Sequence, residues 1–124
     1  VECWGTGKPM REFLFVDDLA EAAIFVLENW NPNSDDAPVD DFGNKLSYLN
    51  VGTGIDISIK DLADLIKNKI GYKGLIKWDI KKPDGTPKKQ LDTTRINKIG
   101  WYPEITLDQG IEKTIKYFIK ENQK

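Results

Sequence analysis

The sequence predicts a mixed α/β fold of short strands and amphipathic helices. Apolar runs with high β propensity occur at residues 13–16, 47–52 and 75–79, and such runs are typical of strands. Apolar residues at helical spacing follow residues 18, 58 and 106, each of which lies at or beside a capping signal. The predicted order is β-α-β-α-β-loop-α-α without internal repeats, which is an α/β arrangement.

The first helix is predicted from residue 18 to about residue 29. The run FLFV ends at Asp17 and Asp18, and either carboxylate can cap a helix by accepting hydrogen bonds from its free N–H groups. The apolar positions that then share one helical face are Leu19, Ala22, Ala23, Val26 and Leu27. We expect this helix to pack against strand 47–51 and to keep one apolar face partly uncovered within the chain.

The second and last helices have start signals of their own. Ser58 with Asp61 forms a weak variant of the capping box, and Gly71 is the expected stop. Thr106 with Gln109 forms a better box. The buried stripe expected in the second helix is Ile59, Leu62, Ala63, Ile66 and Ile70. The stripe expected in the last helix is Leu107, Ile111, Ile115, Phe118 and Ile119.

Two segments between these elements are predicted to be loops. Residues 29–45 are rich in Asn, Pro, Asp and Gly, and within them 31–45 is expected to be a surface insertion. Residues 81–90, KKPDGTPKKQ, carry two prolines, a glycine and four lysines. Asp92 is then expected to cap a short helix in TTRINKIG, residues 93–100.

Composition limits the possible functions. A chain of 124 residues with 40% hydrophobic positions falls within the range of one domain and can bury roughly two thirds of its unfolded surface. The net charge of −2 offers no broad field for nucleic acid or an anionic membrane. One cysteine and no histidine exclude an internal disulfide and the usual zinc ligand sets. No apolar run approaches the roughly 20 residues of a bilayer span, so we expect a cytoplasmic protein.

Two Gly-Thr-Gly segments raise the question of phosphate binding. The first, residues 5–7, is followed by Lys8, Pro9 and a predicted strand rather than a helix, so it lacks the amide nest and helix dipole of a P-loop. The second, residues 52–54, lacks the third glycine of a dinucleotide-binding fingerprint. Both are predicted to be turns, and the second could also form a backbone wall beside a ligand.

Arg11 is the first candidate for a ligand contact, because a guanidinium group can hold a diphosphate through two hydrogen bonds. A solvated Arg11 paired with Glu12 or Asp84 is the alternative. Loop 81–90 is either a cationic clamp around Asp84 or a merely solvated loop. Trp4 offers a flat face to a base or sugar, or else fills an edge of the core. The lysines of the loop are Lys81, Lys82, Lys88 and Lys89.

No reaction centre accompanies these binding groups. Glu12, Asp17 and Asp18 do not form a catalytic carboxylate pair, since capping explains two of them and no acid is placed opposite. Cys3 has no evident base beside it and is interpreted as a small hydrophobe. The sequence therefore predicts a binding unit without catalytic, cofactor-binding or metal-binding residues.

Four stretches together resemble one enzyme family. They are WGTGKPMREFLFVDDLAEAAIFVLE, YLNVGTGIDISIKDLADLIKNKIGYKG, KPDGTPKKQLDTTRINKIGW and ITLDQGIEKTIKYF. The chain resembles the C-terminal part of the GDP-L-fucose synthases, which are extended short-chain dehydrogenases/reductases. The pattern R-E-F-x-x-V-D-D is shared by many nucleotide-sugar epimerases and dehydratases, whereas WGTGKPMREF and KPDGTPKK are more specific.

The resemblance implies a function for a longer enzyme. That family converts GDP-4-keto-6-deoxymannose to GDP-L-fucose by epimerising two carbons and reducing the ketone with NADPH. Residues 1–124 would be the substrate-binding lobe, in which Trp4, Arg11 and Asp84 match substrate contacts and Lys89 aligns with a lysine near them. NADP(H) and the catalytic residues would belong to an N-terminal Rossmann domain, and the whole enzyme would be a homodimer. Residues 1–124 by themselves would be inactive and would bind no cofactor.

Two other functions stay open at this point. The chain could be the substrate lobe of another nucleotide-sugar epimerase or dehydratase, against which KPDGTPKK argues. It could also be a carbohydrate-binding or nucleotide-binding module with no reaction attached. The sequence preceding Val1 would distinguish the enzyme from the module.

Overall fold

The computed structural model describes residues 1–122, which contain short strands and four helices. The strands are β1 (Glu2–Trp4), β2 (Met10–Glu12), β3 (Asp56–Ser58), β4 (Lys77–Asp79) and β5 (Lys88–Lys89). The helices are α1 (Val16–Asn29), α2 (Ile59–Lys69), α3 (Thr94–Lys98) and α4 (Leu107–Asn122). The mixed α/β class predicted from the sequence is confirmed.

The strands form two small sheets. In one sheet β1 runs parallel to β4, with Cys3 opposite Trp78. In the other sheet β2 is the central strand, antiparallel to β3 and parallel to β5. Arg11 on β2 is therefore flanked by Ile57 on one side and by Lys89 on the other. This register brings the loops around residues 54 and 90 to the two sides of β2.

Two of the predicted strands are wrong. Residues 13–15 belong to no strand and residue 16 already opens α1, while residues 47–51 are not part of any sheet. A strand requires a neighbour for its N–H and C=O groups, and no strand of the described chain runs beside either segment. Leu49 and Val51 nevertheless pack against the core together with Phe25 and Val26 of α1. The predicted strand 75–79 is confirmed in part, as β4.

The helix signals that depend on adjacent residues are confirmed. Ser58 Oγ accepts the N–H of Asp61 at 3.0 Å at the start of α2. Gly71 follows the end of α2 with a φ of 66°, which favours glycine. Thr106 Oγ1 accepts the N–H of Gln109 at 3.3 Å, and Gln109 Oε1 accepts the N–H of Thr106 at 3.0 Å. Both halves of the predicted capping box therefore form before α4.

The cap predicted for the first helix is wrong, because α1 begins ahead of both acidic residues. Its N-cap is Phe15, which makes no side-chain capping bond. Asp18 is only 2% exposed, and its carboxylate accepts the N–H groups of Glu104 and Ile105 at 3.3 and 3.0 Å. The carboxylate expected to cap α1 instead ties that helix to the segment that leads into α4.

The core is small and centres on α3. The N-cap of α3 is Thr93 and not Asp92 as predicted, although Asp92 Oδ1 does accept the N–H of Thr94 at 2.9 Å. Ile96 of α3 is fully buried and packs with Ala22 of α1 and with Trp101. Residues 31–45 do not belong to this cluster: they form turns and an isolated bridge, and Ala37 is the one buried residue among them.

Much apolar surface remains uncovered. The accessible surface is 9081 Å², whereas a compact monomer of 14.1 kDa exposes about 6,700 Å². The chain therefore buries less surface than a compact chain of the same mass would. The exposed apolar side chains of α1 are Val16, Leu19, Ile24 and Leu27. Those near the end of α4 are Tyr117, Phe118 and Ile119.

The exposed fractions of these side chains test the helix faces predicted from the sequence. The partly uncovered face of the first helix is confirmed, because Leu19 and Leu27 are exposed while Ala22 packs into the core. The buried stripe predicted for the last helix is wrong at Phe118 and Ile119. In the second helix it is wrong at Ile66 and Ile70, both of which are also exposed. Helical spacing identified the apolar faces, but packing within this chain covers only part of each.

Candidate functional site: a half-open cavity at strand β2

Strand β2 directs its successive side chains to different cavities, because side chains alternate along a strand. Arg11 lines one cavity together with Trp4 and Asp84. Glu12 lines a second cavity together with Lys89. Three of the four predicted substrate-binding residues are thus brought together, and the fourth lies in the neighbouring cavity.

The turn at residues 5–7 fixes Asp84 beside β1. Gly5 and Gly7 have φ values of 79° and 73°, which glycine adopts without strain. Between them Thr6 donates its N–H and its hydroxyl to the two carboxylate oxygens of Asp84, at 2.7 and 2.6 Å. A Cβ at Gly5 would collide with this carboxylate. The first Gly-Thr-Gly is therefore a turn that binds the protein's own carboxylate.

The same contact sets the charge of Asp84. The hydrogen bonds from the Thr6 hydroxyl and N–H, with a smaller contribution from Lys8, lower the pKa of Asp84. Because folding lowers this pKa, the contact adds stability above the unfolded pKa and loses it as the pH falls through the folded pKa. Asp84 is therefore ionised at neutral pH, and each of its oxygens keeps a lone pair for a further donor.

Arg11 is held by backbone carbonyl groups. Its Nη1 donates to the carbonyl oxygens of Met10 and Thr86 at 2.6 and 2.7 Å. The structure does not show the predicted alternative, in which Arg11 pairs with Glu12 or Asp84, because both hydrogen-bond acceptors of Arg11 are neutral carbonyl groups. The guanidinium group therefore fastens loop 81–90 to β2, and no carboxylate within residues 1–122 is bonded to it.

Trp4 forms an open wall of the cavity rather than part of the core. Its side chain is 70% exposed, and the ammonium group of Lys82 lies 5.0 Å from the ring centroid. This distance is typical of a cation–π contact. The cavity has a volume of about 160 Å³, below the roughly 300 Å³ of the smallest ligand pockets. These residues therefore line a small cavity that is open to solvent.

The two lysines of β5 differ in their surroundings. Lys88 Nζ lies 3.2 Å from Asp56 Oδ2, so its charge joins β5 to β3 across β2. Lys89 is exposed and lines the second cavity, of about 430 Å³, with Glu12 and Gln90. A uniform clamp of lysines is therefore not present. Of this pair, Lys89 is the one that lines a cavity.

Neither Gly-Thr-Gly segment fits the pyrophosphate of a dinucleotide cofactor. The N–H of Thr6 is directed to Asp84, and the N–H of Gly54 donates to Glu12 Oε1 at 2.7 Å. A phosphate placed at either turn would meet a carboxylate where it needs a free amide. Within residues 1–122 no group of three or more His, Cys, Asp or Glu is arranged to hold a metal ion. No helix in the same range is long and apolar enough to cross a membrane.

Two site residues were missed by the sequence analysis. Thr6 holds Asp84, although the sequence predicts only a turn there. Glu12 joins two loops, although the sequence suggests it only as a partner for Arg11 or as a carboxylate without a catalytic partner. Strand alternation along β2 could have separated Glu12 from Arg11. No local signal indicates the Thr6 contact, because its partner lies 78 residues away.

Comparison with known proteins gives the context of this cavity. Residues 1–37 match the NAD dependent epimerase/dehydratase family. The GDP-L-fucose synthase of Escherichia coli (strain K12) is 48% identical over 127 residues, which cover 99% of this chain and 37% of that protein. The chain is therefore similar to the GDP-L-fucose synthases along almost its whole length. The family resemblance predicted from the sequence is thereby confirmed.

Solved structures of other homologues share the fold. A GDP-6-OMe-4-keto-L-xylo-heptose reductase from C. jejuni superposes with a TM-score of 0.87 at 37% identity, over 98% of this chain and 34% of that protein. A GDP-mannoheptose C4 reductase from Campylobacter jejuni with NADP bound gives 0.78 at 34% identity, over 96% and 34%. The chain thus spans about a third of the length of the homologues it matches.

Proposed function

We propose that this chain is the substrate-binding lobe of an NADPH-dependent enzyme that converts GDP-4-keto-6-deoxymannose to GDP-L-fucose. The homologues favour a GDP-sugar as the ligand, since they are a GDP-L-fucose synthase and two GDP-heptose reductases. Fucose synthase is the preferred member because of the high identity to that enzyme and the KPDGTPKK loop.

The observation that carries the proposal is the cavity shared by Trp4, Arg11 and Asp84. In it a guanidinium group and an exposed indole from residues 4–11 meet an ionised carboxylate from the distant loop 81–90. A nucleotide sugar needs these three partners: a cation for the diphosphate, a flat apolar face for a ring, and an acceptor for hydroxyl or amino groups. In the proposal Lys89 reaches the diphosphate from the neighbouring cavity.

The uncovered apolar surface supports the proposal that a further domain packs against this chain. The excess of about 2,400 Å² over a compact monomer has the scale of large obligate interfaces. We propose that an N-terminal Rossmann domain of the same protein covers the exposed face of α1 and closes the cavity. That domain would hold NADPH, which supplies the hydride, together with the catalytic residues. Residues 1–124 would then be inactive alone, and the whole enzyme would be a cytoplasmic homodimer.

The full-length protein that contains this chain provides the test. We expect it to bind GDP in calorimetry and to consume GDP-4-keto-6-deoxymannose with oxidation of NADPH. Turnover of another GDP-sugar alone would assign it to a different reductase or epimerase, as the GDP-heptose reductases illustrate. GDP binding without turnover of any keto sugar would favour a non-catalytic binding module. Absence of GDP binding would refute the proposal.

A further inference from the structure

Glu12 connects two loops through one carboxylate. Its Oε1 accepts the N–H of Gly54 at 2.7 Å and the hydroxyl of Thr53 at 3.3 Å. Its Oε2 accepts the N–H of Leu91 at 2.8 Å. Gly52 packs directly against the same carboxylate, because a Cβ at that position would overlap it. The side chain thus holds residues 52–54 on one side and the end of loop 81–90 on the other.

Loop 81–90 needs such anchors because apolar burial does not hold it. Every residue from 81 to 92 is exposed, and β5 is only two residues long. Its polar anchors near the start are the contacts of Asp84 with Thr6 and of Arg11 with Thr86. Further along, the N–H of Met10 donates to the Pro87 carbonyl at 2.8 Å and Lys88 pairs with Asp56. At the end of the loop the N–H of Leu91 donates to the Glu12 carboxylate, and the side-chain amide of Gln90 donates to the Gly54 carbonyl.

Position along the chain makes the last anchor important for the site. Lys89 lies two residues before Leu91, and Arg11 is the immediate neighbour of Glu12. We propose that Glu12 is a positioning residue that fixes Lys89 and its loop relative to Arg11, so that both cations meet one diphosphate in a set geometry. This inference rests on the proposed function, because it assumes that the ligand carries a diphosphate.

The carboxylate is the chemical group that this role requires. Its contacts are all donors, two backbone N–H groups and one hydroxyl, and a carboxylate accepts at both oxygens. In Glu12→Gln one oxygen becomes an NH₂ group that faces a backbone N–H, so one of the two loops is released. A released loop must be ordered by the ligand, which lowers affinity without removing any group that touches the ligand.

The test compares Glu12→Gln with Asp18→Asn in the full-length protein. Asp18 is a matched control, since its carboxylate also accepts two backbone N–H groups, but it ties α1 to the segment before α4. We expect Glu12→Gln to speed hydrogen exchange at residues 52–54 and 89–92 and to raise the Kd of GDP about tenfold. Asp18→Asn should lower thermal stability while leaving the Kd of GDP within about twofold. Glu12→Asp, which keeps the charge on a shorter side chain, should fall between parent and Glu12→Gln.

The outcomes separate this inference from the proposed function. If Arg11→Ala weakens GDP binding but Glu12→Gln does not, the positioning role is refuted and the site stands. If Asp18→Asn weakens GDP as much as Glu12→Gln does, the effect is general destabilisation and the inference is again refuted. If neither Arg11→Ala nor Glu12→Gln changes GDP binding, the cavity at β2 is not the GDP site and the inference fails with it, whereas a parent that does not bind GDP refutes the proposed function itself. Should Glu12→Gln not fold, Glu12→Asp provides the same comparison.

Discussion

Replacement of Arg11 by alanine is the most direct perturbation of the proposed site. Arg11 Nη1 donates both of its hydrogens to the Met10 and Thr86 carbonyl groups, which leaves the other N–H groups of the guanidinium for a ligand. A hydrogen bond to a charged partner contributes about 2 kcal/mol. At 1.4 kcal/mol per tenfold change in affinity, the Kd of GDP should rise about 30-fold.

The same substitution also removes two contacts within the protein. Loss of the Thr86 contact frees the middle of loop 81–90, and a hydrogen bond from a charged donor contributes about 2 kcal/mol to stability. Arg11→Lys separates the two effects, because lysine keeps the charge but cannot form a fork. We expect its Kd for GDP to lie between those of the parent and of Arg11→Ala.

Calorimetric titration of GDP into the full-length parent and both variants is the appropriate assay, at two salt concentrations. The attraction of a partly exposed charge is screened over about 8 Å at physiological ionic strength, so the difference between parent and Arg11→Ala should shrink as salt rises. An unchanged Kd in Arg11→Ala, in a variant that still folds, would show that Arg11 only fastens the loop.

Four further substitutions test other parts of the reasoning. Lys89→Gln should weaken GDP binding in a salt-dependent way, whereas Lys88→Gln should leave the affinity for GDP unchanged. Lys88→Gln should lower the free energy of unfolding by about 1 kcal/mol or less, because it loses the salt bridge to Asp56. Equal effects of the two substitutions on affinity, measured by calorimetry, would contradict this. Leu27→Ser should lower the stability of the full-length protein but hardly change the stability of residues 1–124 by themselves, because Leu27 is 85% exposed in this chain. Equal unfolding midpoints for the full-length parent and the full-length variant would argue against a covered α1 face. Ile96→Ala should cost about 2–5 kcal/mol in denaturant unfolding, because Ile96 is fully buried, and a loss below 1 kcal/mol would place the core elsewhere.

The candidate site could be predicted only in part. Trp4, Arg11 and Asp84 were identified through a family resemblance and by the chemistry of their side chains, and the structure then placed all three in one cavity. Lys88 was grouped with Lys89, although a salt bridge to Asp56 gives it a structural role. The partners of Arg11 were also unexpected, because backbone carbonyl groups leave no mark in a sequence.

The sequence by itself determined the features that depend on near neighbours. Ser58 and Thr106 start their helices through residues three positions away, and Gly71 stops one through its own backbone conformation. Tertiary structure decided whatever needs a partner far along the chain. Residues 47–51 have the composition of a strand but lack a neighbour in the described chain, and Asp18 and Glu12 bind N–H groups 42 to 87 residues away. Capping and helical periodicity are local interactions, whereas strand pairing and buried carboxylate contacts exist only once distant segments have met.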